Sequence, residues 1–186
     1  DYSGYTVSIN SAGDRVAIGA WGNDGTANDA GHVRVYEYSN SSWTQVGSDI
    51  DGEAADDYSG WSVSMDSAGD RVAIGAYGND ASGSLAGHVR VYEYSNSSWT
   101  QLGSDIDGEA ASDWSGWSVS INSDGDRVAI GAYGNDATPN DAGHVRVYEY
   151  SNSSWSQLGS DIDGEAAFDY SGASVSINSA GDRVAI

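Results

Sequence analysis

The stretch that decides the fold is GHVRVYEYSNSSW, Gly31 to Trp43, which recurs letter for letter at Gly87 to Trp99 and at Gly143 to Trp155. His32 to Tyr38 reads as a β-strand rich in Val and Tyr, the Ser39 to Ser42 run as a turn, and Trp43 to about Ile50 as a further strand. Working outward, the openings Asp1-Tyr2-Ser3-Gly4, Asp57-Tyr58-Ser59-Gly60, Asp113-Trp114-Ser115-Gly116 and Asp169-Tyr170-Ser171-Gly172 align at a constant offset of 56 residues with no insertion. Self-similarity at such a fixed period is the signature of a repeat architecture.

The other half of each unit supplies two more strands. Tyr5, Val7 and Ile9 alternate with Thr6 and Ser8, as a half-buried strand requires, and Asn10 to Asp14 (NSAGD) is a turn. Arg15 to Ala20 (RVAIGA) follows, with Val16 and Ile18 on one face and the small Ala17 and Gly19 on the other, where a neighbouring sheet could approach closely. The longest loop, Trp21 to Ala30, is where the copies differ most: GTANDA, ASGSLA and ATPNDA occupy equivalent places. A four-stranded antiparallel sheet cannot bury its faces alone, but stacked sheets share a continuous core. The expected fold is therefore all-β, a β-propeller-type array of blades over 1–56, 57–112 and 113–168, with strands one and two of a fourth in 169–186. A closed propeller has about four to eight blades, so this array is incomplete as a single ring. Its open edge is expected to pair with further copies of itself or with the continuation of the same chain.

Composition narrows the function. Acidic residues number 28 against 7 basic ones, all Arg, for a net charge of −21. Nucleic acid binding needs a basic footprint and is excluded. Such a surface favours cations, saline surroundings or basic partners, or serves solubility through self-repulsion. With no Cys there is no disulfide or thiolate chemistry. No apolar run is long enough to span a bilayer and no signal peptide is visible. Asp1 in place of Met is expected of a chain processed or excised from something longer.

Ser59-Gly60 opening strand one, Gly75-Ala76-Tyr77 closing strand two, and the GHVRVY run from Gly87 to Tyr92 resemble the FG-GAP repeats of integrin-α-like β-propellers. Ser stands for the Phe of the name, and Trp21, Tyr77 or Tyr133 for its Pro, as in the divergent arrays of secreted microbial and algal proteins. The resemblance implies extracellular placement, Ca²⁺ binding and adhesive or structural roles.

The acidic connector is the main candidate site. Asp49, Asp51, Glu53 and Asp57 repeat as Asp105, Asp107, Glu109, Asp113 and as Asp161, Asp163, Glu165, Asp169. Carboxylates so spaced can converge on a Ca²⁺ ion, which takes six to eight oxygens; the alternative is a solvated connector whose Asp side chains cap turns. The Asn10 to Asp14 and Asn122 to Asp126 turns read as Asx turns. Asn40, Asn96 and Asn152 are N-x-S acceptors on expected hairpin tips, open to glycosylation in a eukaryotic secretory route. His32, His88 and His144 sit at one repeated strand position beside an Arg, which speaks for structure and against a catalytic triad. The GNDG run at Gly22 lacks the Lys and helix of a phosphate loop. Trp43, Trp99 and Trp155 are expected between blades, and the variable loops to carry ligand contacts. The sequence thus points to a non-enzymatic extracellular structural or adhesive scaffold, or alternatively to a Ca²⁺-dependent module binding a glycan or protein through its loops.

Overall fold

The computed structural model describes residues 1–136 and 140–186, and its described residues contain strands and turns but no helix. The first sheet comprises β1 (Thr6–Ile9), β2 (Arg15–Ala20), β3 (His32–Ser39), β4 (Ser42–Gln45) and β5 (Ile50–Asp51). The second repeats it as β6 (Ser62–Met65), β7 (Arg71–Ala76), β8 (His88–Ser95), β9 (Ser98–Gln101) and β10 (Ile106–Asp107). The third holds β11 (Ser115–Ile121), β12 (Arg127–Ala132), β13 (His144–Ser151), β14 (Ser154–Gln157) and β15 (Ile162–Asp163), and β16 (Ser176–Ile177) pairs with β17 (Val184–Ala185). All pairings between these strands are antiparallel, so the expected blades are present, and they do not close into a ring.

One expectation is corrected. The fourth strand is not continuous from Trp43 to Ile50: β4 and β5 are separate strands, both paired to β3. Gln45 lies opposite Tyr36 but Ile50 opposite Val33, so the outer strand carries extra residues and must bulge. Gly47 makes the turn at φ +72°, and a Cβ there would also press on the Trp99 ring. The detour is anchored at its end, where Arg34 of β3 donates two hydrogen bonds to Asp49, at 2.9 and 2.7 Å.

The core lies between blades, as stacking requires. Ala17, Val33, Val35, Val46 and Ile50 of the first blade pack on Met65, Val72, Ile74 and Trp99 of the second. Ala73, Val89, Val91 and Ile106 repeat this against Val119, Ile121, Val128, Ile130 and Tyr148. Fully burying each Val or Ile contributes about 1.5–3 kcal/mol. The small face of the second strand does what its letters suggest: a Cβ on Gly19, Gly75 or Gly131 would collide with the carbonyl of Gly60, Gly116 or Gly172 in the next copy. Ser8 accepts a hydrogen bond from Met65 N, Ser64 from Ile121 N and Ser120 from Ile177 N, at 2.9 to 3.1 Å, which sews the inner strands together. The backbone N–H groups of Ser11, Ser67 and Ser123 each donate at 3.2 Å to the carbonyl of Ser67, Ser123 and Ser179, one repeat further on.

The repeated Trp has three environments. Trp99 is 9% exposed and donates through Nε1 to Val46 O at 2.8 Å; Trp155 donates to Leu102 O at 2.7 Å; Trp43, in the first described blade, is 47% exposed. The expectation of inter-blade packing thus holds for Trp99 and Trp155 and not for Trp43.

Candidate functional site

The variable loops and the acidic connectors meet on one end of the blades. Tyr58 N donates to Asp29 O and Ser59 N to Ala30 O, while Thr26 Oγ1 donates to Gly52 O at 2.9 Å. Asp57 is the buried organiser: its Oδ2 accepts from Ala54 N at 2.9 Å and its Oδ1 from Asn79 Nδ2 at 3.2 Å. Asp113 and Asp169 accept in the same way from Ala110 N and Ala166 N.

That scaffold holds a continuous belt of aromatic rings. Tyr2 stacks on Trp21 with centroids 4.4 Å apart, and Trp21 meets Trp61 at 5.6 Å. Trp61 meets Trp117 at 4.9 Å, Trp117 stacks on Tyr133 at 4.9 Å, and Tyr133 stacks on Tyr170 at 4.7 Å. Tyr5, Tyr58, Tyr77 and Trp114 fill in beside them. Most of these rings are half-buried, with Tyr2 and Tyr5 more exposed, at 65% and 53%. Below the belt, Tyr5, Trp61 and Trp117 border an open groove of about 380 Å³ whose walls are inner-strand Ser and Val side chains. Tyr2, Tyr58, Trp114 and Tyr170, the second residue of each copy, all stand at φ between +50° and +56°. Left-handed backbone under a bulky side chain costs of order 1–3 kcal/mol and persists only where the surroundings enforce it. The sequence signal of the belt is the aromatics at the second, fifth and twenty-first places of successive copies, which strand periodicity alone does not bring together.

The connector carboxylates do not gather as one set per connector. Asp49 is held by Arg34 and Gln45, and the guanidinium keeps its carboxyl down at about 2. Glu53 reaches the next blade, 3.2 Å from Arg90, as Glu109 reaches Arg146. Asp105 and Asp161 accept from Gln101 and Gln157 at 2.6 Å. Burial first, and then the charge of the neighbouring Asp105, raises the Asp107 carboxyl. Asp51, Asp163 and Glu165 are exposed. What the structure brings together instead is one histidine with carboxylates: Glu53, His88 and Asp105, or Glu109, His144 and Asp161, with ligand atoms within 4.8 Å of one another. His32, Asp49 and Asp51 form a corresponding group in the first blade.

All three histidines are buried, and burial, then the adjacent Arg, lowers their basicity, that of His88 to about 4. Neither ring nitrogen of His88 or His144 has a hydrogen-bond partner, so no hydroxyl is aligned with them as in a triad. The Asn10 and Asn122 turns are closed by their own side chains, though over a longer span than the Asx turn expected: Asn10 Oδ1 accepts from the N–H groups of Asp14 and Arg15, four and five residues on, and Asn122 repeats this. Asn40, Asn96 and Asn152 stand exposed on two-residue hairpin turns at φ +51°, each followed by a Ser also at positive φ, the backbone of a type I′ turn. Of the variable loops, ATPNDA has its Ala137, Thr138 and Pro139 outside the described residues.

Among solved structures, the chain superposes on a Bacteroides uniformis protein named as a 6-phosphogluconolactonase with a TM-score of 0.59 at 11% identity. The alignment covers 96% of this chain and 45% of that one, and at such identity the likeness concerns the fold alone. No curated protein matches the sequence significantly. A family model described as FG-GAP repeat matches residues 105–148, from the connector residue Asp105 to Tyr148 of β13. The chain is thus an array of propeller-type blades in which residues 105–148 are similar to the FG-GAP repeat.

Proposed function

We propose that this chain is part of a non-enzymatic extracellular repeat scaffold that serves adhesion, and that its contact surface is the loop face bearing the aromatic belt. The observation that carries this reading is the belt itself, unbroken across successive copies and held by strained backbone at each one. Packing between blades is already provided by Val, Ile and Trp99, so strain stored at a second ring system calls for a use. Trp and Tyr offer apolar faces for sugar rings together with a polar edge. A net charge of −21 repels polyanionic glycans, so the matching ligand is a neutral or amine-bearing saccharide. Exposed N-x-S turns fit a secreted, glycosylated protein. The open face of Val16, Ile18, Tyr36 and Trp43 corresponds to the face of Val72, Ile74, Tyr92 and Trp99 that the preceding blade covers, which suits a further copy of the repeat.

The test is titration of neutral and amine-bearing oligosaccharides against tryptophan fluorescence, for the parent chain and for Tyr5→Ala and Trp61→Ala. Saturable binding that weakens at least tenfold in both folded variants is expected. No saccharide binding, or binding indifferent to both substitutions, ends the glycan reading.

A further inference from the structure

We propose that the two inner blade junctions each bind a divalent transition-metal ion, one through Glu53, His88 and Asp105, the other through Glu109, His144 and Asp161. Each set joins a connector of one blade to the third strand and connector of the next, so the ion would clamp neighbouring blades. The independent sign of a ligand is the histidine. His88 is 1% exposed and His144 0%, and both nitrogens of each imidazole are buried without a partner, which native interiors rarely tolerate.

The distances suit a shared ion better than a hydrogen bond. His88 Nδ1 stands 3.9 Å from Asp105 Oδ2, and His144 Nδ1 3.9 Å from Asp161 Oδ2, too far for donation. A tetrahedral ion with bonds near ~2.1 Å sets its ligands about 3.4 Å apart. The side chains of Glu53 and Asp105, 48% and 29% exposed, have room to close that gap. Gln101 holds Asp105 by Oδ1 and Arg90 holds Glu53 by Oε1, so each carboxylate keeps an oxygen free, as outer partners of metal ligands do. One imidazole with two carboxylates suits Zn²⁺ or Co²⁺ rather than Ca²⁺, which takes oxygen alone.

The first blade shows the contrast. There Arg34 takes both oxygens of Asp49, whereas Arg90 and Arg146 turn to the preceding connector, donating to the carbonyls of Asp51 and Asp107 and leaving Asp105 and Asp161 without a guanidinium. The first-blade group is therefore closed, and two sites remain.

Chelator-treated chain titrated with Zn²⁺ in a calorimeter, with Co²⁺ absorption as the spectroscopic readout, decides the matter. Two Zn²⁺ per chain are expected, one after His88→Gln, and none after His88→Gln with His144→Gln. Excess Ca²⁺ should leave the uptake unchanged. Should the histidine variants misfold by circular dichroism, Asp105→Asn with Asp161→Asn removes a ligand from each site at the half-exposed rim and must lower the affinity at least tenfold. Absence of saturable uptake, displacement by Ca²⁺, or uptake indifferent to the folded variants overturns the proposal.

Discussion

Trp99 and Trp43 sit in the same thirteen-residue string, so any difference between them comes from blade stacking and not from local sequence. Trp99 is 9% exposed, fills the junction with Val72 and Ile74, and spends its indole N–H on Val46 O at 2.8 Å. Removing such a side chain empties a core site, a loss of about 3–5 kcal/mol for Trp→Ala, and strips a buried carbonyl of its donor. Trp43 is 47% exposed and keeps only the Tyr38 ring, 5.3 Å away, as an aromatic neighbour, so Trp43→Ala should cost about 1 kcal/mol or less by the usual range for exposed positions. For a chain of this length, each kcal/mol moves the melting temperature by about 2–4 °C. Trp99→Ala is therefore expected to melt at least about 4 °C below Trp43→Ala on that scale. Urea titration followed by far-ultraviolet circular dichroism gives the companion midpoints. If the two substitutions destabilise equally, the blades are not stacked through Trp99 and the packing argued above is wrong.

Two further outcomes test the junctions. Gly75→Ala needs no unusual backbone, so its effect reports the close approach to Gly116 O together with the Ser62 hydroxyl; overpacking of about 1–3 kcal/mol is expected by urea denaturation, and a neutral result would mean the blades stand further apart. Protonation gives an independent handle. His88 titrates near 4 in the folded chain and near 6.5 when unfolded. Between those values the unfolded state binds the extra proton, so stability is full above about pH 6.5, falls as pH drops, and stops changing through this group below about pH 4. At most about 3.4 kcal/mol is involved, at 1.36 kcal/mol per unit. In chelator-treated samples His88→Gln should flatten the denaturation midpoint across this window, and an unaltered slope would place the imidazole in contact with solvent.

How much of this was readable in the letters depends on whether one copy or two is needed to see it. Alternation in Tyr5 to Ile9 and the small face of RVAIGA lie within one copy: the small face is where the next blade approaches, whereas Tyr5, Val7 and Ile9 are more exposed than Thr6 and Ser8, and it is their counterparts Met65, Val119 and Ile121 that are buried. The side-chain-closed turn at Asn10 is local too, its oxygen taking the N–H groups four and five residues on, a longer reach than an Asx turn. Val46 to Asp49 was also local: a Gly followed by Ser and Asp is turn chemistry, and running one strand through it overrode that signal. The belt and the histidine clusters are different in kind. Trp61 meets Trp117 and Glu53 meets His88 only because consecutive sheets face each other, and a period of two reports a face without saying what lies opposite. The three arginines make the point most sharply. Arg34, Arg90 and Arg146 share identical flanking letters, yet the first grips its own connector while the other two grip the connector before them. The partner is the carboxylate that the packing sets beside each guanidinium: Asp49 for Arg34, Glu53 for Arg90 and Glu109 for Arg146. In a repeat of this kind a residue's role is therefore a property of the junction, and each junction belongs to two copies at once.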